Sequence, residues 1–113
     1  MSHITTHALD TSRGRPAAGL AVMLDFEEAD GWSTVGFGRT DADGRLRDLL
    51  QPGRQLSPGN YRLTFGTGEY FAARGVETFY PAVHIVFAVR DPSEHYHVPL
   101  LVSPYGYSTY RGS

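Results

Sequence analysis

The chain contains no cysteine. That single absence removes disulfides, thiolate metal ligands and cysteine nucleophiles, while leaving the compartment open. It also lacks a basic block. Ten Lys and Arg residues against twelve Asp and Glu give a formal net charge of -2, with the charges scattered. Such a balance offers no electrostatic footprint for nucleic acid or for an anionic membrane surface. No apolar run approaches the roughly 20 residues needed to cross a bilayer. The start, Met1 to His7, has no charged segment followed by an apolar one, so no secretory signal is read there. Neither a Gly-x-Ser-x-Gly elbow nor a phosphate-binding glycine loop is present; Gly36-Phe37-Gly38 lacks a third glycine. The expectation is a cytoplasmic protein of one domain, 1–113, long enough to build a core without staples.

What the chain has instead is punctuation. Its 13 glycines and 7 prolines exceed the average share of about 12% and fall at intervals. Between them lie short stretches that alternate with period two, the signature of half-buried strands. His3 to Leu9 sets Ile4, Thr6 and Ala8 against His3, Thr5, His7 and Leu9; Leu20 to Glu27 sets Leu20, Val22, Leu24 and Phe26 inward. Trp32 to Thr40 and Tyr61 to Phe65 alternate in the same way, and Val83 to Val89 reads as a central strand. Tyr96 to Ser103 and Gly106 to Tyr110 form a last pair, with Pro99 expected at an edge or a bulge because it has no N–H to donate. Gly68 to Arg74 is the one segment rich in helix formers. The pattern predicts an all-β, antiparallel sandwich of about seven to eight strands with one short connecting helix. Trp32, Tyr61, Phe65, Phe71, Phe79 and Phe87 are expected in its core.

Chemistry concentrates at the end of the chain. The last nineteen residues hold His95, His97, Arg111 and four tyrosines. A terminus so rich in polar and aromatic groups is expected to be docked and used, where ordinary chain ends fray. His95 and His97, spaced i and i+2, project to one side of a strand. As a pair they could be hydrogen-bonded surface histidines, half of a metal site wanting a third ligand such as His7, or acid/base groups titrating near pH 6.5. Asp41-Ala42-Asp43-Gly44 is a turn, without the spacing or closing glutamate of a calcium loop. Arg45, just after it, is either a solvated charge or a planar fork of donors for a carbonyl or an anionic ring. From these residues alone a small-molecule enzyme and a binding module stand level.

A resemblance separates them. Thr6-His7-Ala8-Leu9-Asp10, then Arg13-Gly14-Arg15-Pro16-Ala17-Ala18, resembles the N-terminal signature of the 5-hydroxyisourate hydrolases, the transthyretin-related proteins of purine breakdown. Asp43-Gly44-Arg45, His95-Tyr96-His97-Val98-Pro99-Leu100-Leu101 and the closing Tyr110-Arg111-Gly112-Ser113 match the rest of that pattern. The likeness runs from His3 to Ser113, and the Tyr-Arg-Gly-Ser ending separates these hydrolases from transthyretin, the hormone carrier.

The resemblance implies a transthyretin-like sandwich assembled as a homotetramer, a dimer of dimers with sites at an interface. It implies ring opening of 5-hydroxyisourate by water to give 2-oxo-4-hydroxy-4-carboxy-5-ureidoimidazoline, with no metal or other cofactor. His7, Arg45, His97 and Ser113 would form the catalytic set; His7, Arg45 and Tyr110 would contact substrate. The alternative is a transthyretin-like carrier holding a small aromatic ligand in a channel between subunits, and a zinc-binding sandwich stands third.

Overall fold

Period-two alternation does build this molecule. The computed structural model describes residues 3–113; Met1 and Ser2, where the reading of a missing secretory signal begins, lie outside the described residues. The first strand, β1 (Ile4–Asp10), buries Ile4, Thr6, Ala8 and Asp10 and leaves Thr5, His7 and Leu9 half-buried on its other face. It forms one sheet with β2 (Arg15–Pro16), β5 (Arg45–Leu46), β8 (Tyr96–Ser103) and β9 (Gly106–Thr109). The second sheet runs in the order β4 (Gly31–Arg39), β3 (Ala21–Glu28), β6 (Gly59–Phe65), β7 (Val83–Val89). Leu20, Leu24, Leu63, Phe65 and Leu100 are fully buried between the two sheets. A helix, α1 (Thr67–Ala72), follows β6, one residue earlier than the composition suggested. Among the described residues no helix is long and apolar enough to cross a membrane.

The architecture is the expected sandwich, with two two-residue strands added and one pairing of different sense. β1 and β8 run parallel, from Ile4 beside Tyr96 to Asp10 beside Val102, while the other pairings are antiparallel. The sense matters because parallel register sets the outer-face residue Thr5 beside His97.

Several expectations change in three dimensions. Val83 to Val89 is an edge strand of its sheet, not a central one. Its apolar run reflects two faces with different roles, since Val83, Ile85 and Val89 are buried while Val86 is exposed. Pro99 lies in the interior strand β8, between β1 and β9, instead of at an edge. The sheet tolerates it because the β9 ladder stops at Thr109 opposite Leu100 and resumes as a single bridge between Gly112 and His97. The missing N–H falls in that gap, and the Thr109 hydroxyl donates to the Pro99 carbonyl at 2.7 Å.

Of the expected core aromatics, Tyr61, Phe65 and Phe71 are buried and Phe87 packs at the margin. Phe79 is 69% exposed, on the segment after α1. Trp32 is half-buried on the outer face with the Arg62 guanidinium 4.5 Å from its ring centre. The cause is a bulge: Leu24 pairs with Gly36 but Asp25 with Thr34, so Val35 is the extra residue and the alternation of β4 changes phase there.

The helix does more than connect. It carries Tyr70 inward, and the phenol donates at 2.8 Å to Asp10, a fully buried carboxylate that also accepts the Ser12 amide at 3.1 Å. Satisfying Asp10 in this way pins the end of β1, and with it the strand that bears Thr5 and His7.

Candidate active site

The outer face of β1, β5 and β8 gathers the polar residues. On β1 the alternation that buries Thr6 and Ala8 turns Thr5 and His7 outward. Antiparallel pairing with β5 sets Arg45 beside His7. The turn between β4 and β5 fixes both partners. Its first residue, Asp41, accepts the amides of Asp43 and Arg45, each at 2.9 Å, and those bonds hold its carboxyl below the usual range, the Arg45 amide contributing most. Gly44 adopts φ +76°, and a Cβ there would stand 2.3 Å from the Ala8 carbonyl oxygen. Only glycine can take both that conformation and that closeness.

The same turn holds His7. Its Nε2 lies 3.0 Å from the Asp43 carbonyl oxygen. A carbonyl only accepts, so Nε2 carries the proton and the neutral ring keeps its lone pair on Nδ1. Sequence reading treated Asp41–Gly44 as an ordinary turn. Folded, it is the support of both His7 and Arg45.

His97 is the centre of the arrangement. Its Nδ1 lies 2.7 Å from the Thr5 hydroxyl, which is also 3.0 Å from Nε2 of His95. The two imidazoles are nearly parallel, with centroids 6.4 Å apart. Burial first, then the positive field of Arg45 and the neighbouring His7 and His95, hold the His97 pKa below its ordinary 6.5. At neutral pH the ring is therefore uncharged and able to accept a proton.

An open cavity of about 500 Å3 lies against this face. Thr5, Arg45, His95, His97 and Ser113 line it, with Arg47 and Asp48 at its β5 side. Ser113 arrives because the tail keeps the register of β9 past Pro99. The Gly112 amide donates to the His97 carbonyl at 2.8 Å. Arg111 anchors the approach, bonding to the Glu94 carboxylate at 2.9 Å with its guanidinium 4.6 Å from the centre of the Tyr96 ring. Arg45, His97 and Ser113 thus meet at one cavity, and His7 stands beside it, paired with Arg45 but not on the wall. Tyr110 is elsewhere in the chain: 59% exposed, along a separate groove with Val86 and Phe87 of β7.

Sequence reading missed Thr5 as a site residue. The signal was present, since Thr5 shares the outward face of His7, but nothing in sequence ties residue 5 to residue 97. No group of three or more His, Cys, Asp or Glu among the described residues is arranged to hold a metal ion. The His95 and His97 pair has a hydroxyl between its rings where a third metal ligand would be needed.

Comparison with known proteins gives a consistent result. The model of the HIUase/Transthyretin family matches residues 4–112. A 5-hydroxyisourate hydrolase of Caulobacter vibrioides is 49% identical over the full length of both chains. Among solved structures, the 5-hydroxyisourate hydrolase of Klebsiella pneumoniae superimposes with a TM-score of 0.85 at 38% identity, covering 99% of this chain and all of that one. Sea bream transthyretin in complex with thyroxine superimposes with a TM-score of 0.89 at 32% identity, covering 97% of this chain and 94% of that one. Backbone shape therefore fits carrier and hydrolase alike, and the side chains distinguish them.

Proposed function

The chain belongs to the HIUase/Transthyretin family, and from that premise we propose that it is a hydrolase of purine catabolism acting on 5-hydroxyisourate. The observation that carries this reading is the cavity wall: an uncharged His97, a guanidinium and a hydroxyl face one open space. A carrier of an aromatic hormone would need apolar walls there. The sea bream protein's thyroxine complex keeps a carrier as the second reading, and it is disfavoured by the identity of 38% with the superimposed Klebsiella hydrolase against 32% with that carrier.

The chemistry follows from the groups. Water adds to a lactam carbonyl of the six-membered ring, and His97 takes the proton that water gives up. Negative charge builds on the carbonyl oxygen, where the Arg45 guanidinium, carried to the cavity by the Asp41-anchored turn, would donate to it. Collapse of the tetrahedral intermediate breaks the C–N bond, and the proton held on His97 passes to the departing nitrogen. His7, anchored through Nε2 to Asp43 and paired with Arg45 in the β1–β5 register, stands behind the cavity wall and adds to the field around His97. Ser113 lines the same cavity and would offer its hydroxyl to the substrate. No step requires a metal.

We place the enzyme in the cytoplasm as a homotetramer, a dimer of dimers. Support for the assembly is the outer face itself: the cavity is open, Tyr107 is 43% exposed and Tyr110 is 59% exposed, and β7 and β9 end their sheets without a further strand. Neighbouring copies laid on this face and along the β9 edge would close the cavity, and a neighbour's Tyr110 would then bear on the substrate. Light scattering that returned a monomer at working concentration would remove the assembly and the role of Tyr110 with it.

The functional test is direct. 5-Hydroxyisourate generated from urate by urate oxidase decays with an ultraviolet signal, and the protein should accelerate that decay well beyond the spontaneous rate. Unaltered decay, together with tight binding of an aromatic ligand, would establish the carrier instead.

A further inference from the structure

The Thr5 hydroxyl has one proton and two imidazole neighbours, at 2.7 Å from His97 Nδ1 and 3.0 Å from His95 Nε2. It can donate to only one of them and must accept from the other. Two arrangements satisfy the geometry. If Thr5 donates to His97, then His97 carries its proton on Nε2 and cannot take one from water. If Thr5 donates to His95, then His97 carries its proton on Nδ1, gives it to Thr5, and keeps a lone pair on Nε2. The tautomers of the two histidines are thus coupled through one hydroxyl.

We propose that Thr5 is a positioning residue for the reaction: it donates to His95 Nε2, accepts the Nδ1 proton of His97, and so holds the His97 Nε2 lone pair ready for water. This rests on the reading of the site as a hydrolase, and three features support it. His97 Nε2 has no hydrogen-bond partner among the described residues, so it is the nitrogen left for chemistry. Exposed His95 can carry its own proton on Nδ1 at little cost, because solvent reaches that ring. Protonating His97 in this arrangement needs no reorientation, since the Nδ1 donor is already bonded and its bond strengthens when the ring is charged. The register favours the contact: parallel pairing of β1 with β8 sets Thr5 directly beside His97, and the His95 ring, just before β8, lies nearly parallel to that of His97.

The charged and titratable groups around His97 are His7 from β1, Arg45 from β5, His95 just before β8, and Arg47 and Asp48, which also line the cavity. Thr5 is the group that bonds to the ring itself. Its hydroxyl therefore sets which nitrogen titrates, while burial and then the surrounding charges set where it titrates.

The test uses the full chain with Thr5→Val, Thr5→Ser, His95→Gln and His95→Phe. Thr5→Val keeps the shape and removes the hydroxyl. It should lower kcat by on the order of 10-fold to 100-fold while KM changes by less than about twofold. Thr5→Ser should restore most of kcat, and His95→Gln, which keeps a polar group near the hydroxyl, should retain more activity than His95→Phe. Nitrogen NMR of histidine-labelled protein reads the tautomer without any turnover. His97 should be protonated at Nδ1 in the parent and become a mixture in Thr5→Val. A parent His97 protonated at Nε2 overturns the proposal, as does a Thr5→Val variant with unchanged kcat, or a Thr5→Ser variant as impaired as Thr5→Val. If the parent protein fails to accelerate 5-hydroxyisourate decay, the hydrolase reading falls, and the NMR result still decides the hydroxyl's direction.

Discussion

Gly112 lies so close to His97 that a Cβ on the glycine would stand 2.6 Å from Cδ2 of the imidazole and 3.3 Å from Cγ of Pro99. The tail backbone thus closes on Cδ2 of the ring whose Nδ1 is bonded to Thr5. A Gly112→Ala substitution must push the imidazole or the tail aside. We expect a loss of about 1–3 kcal/mol in unfolding free energy, the usual range for overpacking, or a displaced ring with a fall in kcat of at least about tenfold. Denaturant melts and steady-state kinetics on the variant read the two outcomes. Parental values in both would show that the tail does not hold His97.

Removing Tyr110 to Ser113 tests the same contact more broadly. The deletion takes away the Gly112 to His97 bond and the Arg111 to Glu94 ion pair, yet leaves β9 intact through Thr109. Turnover should be abolished while circular dichroism retains the β signature. Surviving activity would refute the docked tail.

Gly44 offers a stricter backbone test. Alanine there must adopt a left-handed conformation, costing about 1–2 kcal/mol, and must also clear the Ala8 carbonyl oxygen 2.3 Å away. Gly44→Ala should lose more than about 2 kcal/mol at unchanged denaturant slope, and should lose activity out of proportion, because the turn carries both His7 and Arg45. A variant as stable as the parent would mean that the turn has an alternative form.

Arg45→Lys keeps the charge but replaces a planar fork with a point donor. If Arg45 stabilises the oxyanion, kcat/KM should fall on the order of 100-fold with little change in melting temperature. A near-parental kcat/KM would reduce Arg45 to a general cationic field.

The pH profile follows from the direction of the His97 shift. Burial and the neighbouring cations lower its folded pKa below 6.5. The neutral, active ring therefore persists to more acid pH than an ordinary histidine would, and the acid limb of kcat should have its midpoint below 6.5. Stability follows the same sign. Between the unfolded value and the lowered folded value the unfolded chain binds more protons, so the fold loses stability as pH falls through that window and the loss levels off below it. An acid limb centred above 6.5 would exclude His97 as the base.

Much of the fold was legible because burial leaves a period-two trace. β1, β3 and β6 show in sequence the faces they show in the molecule. Trp32 was placed in the core because the bulge at Val35 cannot be seen in a string of letters; it depends on how β4 is paired with β3. The run Val83 to Val89 looked central because apolar residues on an exposed edge and apolar residues in a core are the same residues. Pro99 was expected at an edge or a bulge because it has no N–H to donate; only the folded chain shows it inside the sheet, paired with His7 and facing the gap in the β9 ladder.

The site divides along the same line. Sequence by itself determined which groups the chain owns: the alternating outward face with His7, the turn before Arg45, the same-side pair His95 and His97, and the tail ending in Ser113. It also excluded thiol chemistry and a basic surface, since composition suffices for that. The tertiary structure decided who meets whom. Parallel pairing brings Thr5 to His97 across more than ninety residues of chain, Asp43 fixes the tautomer of His7, and Gly112 seats the tail against the imidazole. The physical reason is that side-chain identity and local period are written in neighbouring residues, whereas register, hydrogen-bond direction and the electrostatic environment of a histidine arise only when distant strands share a sheet.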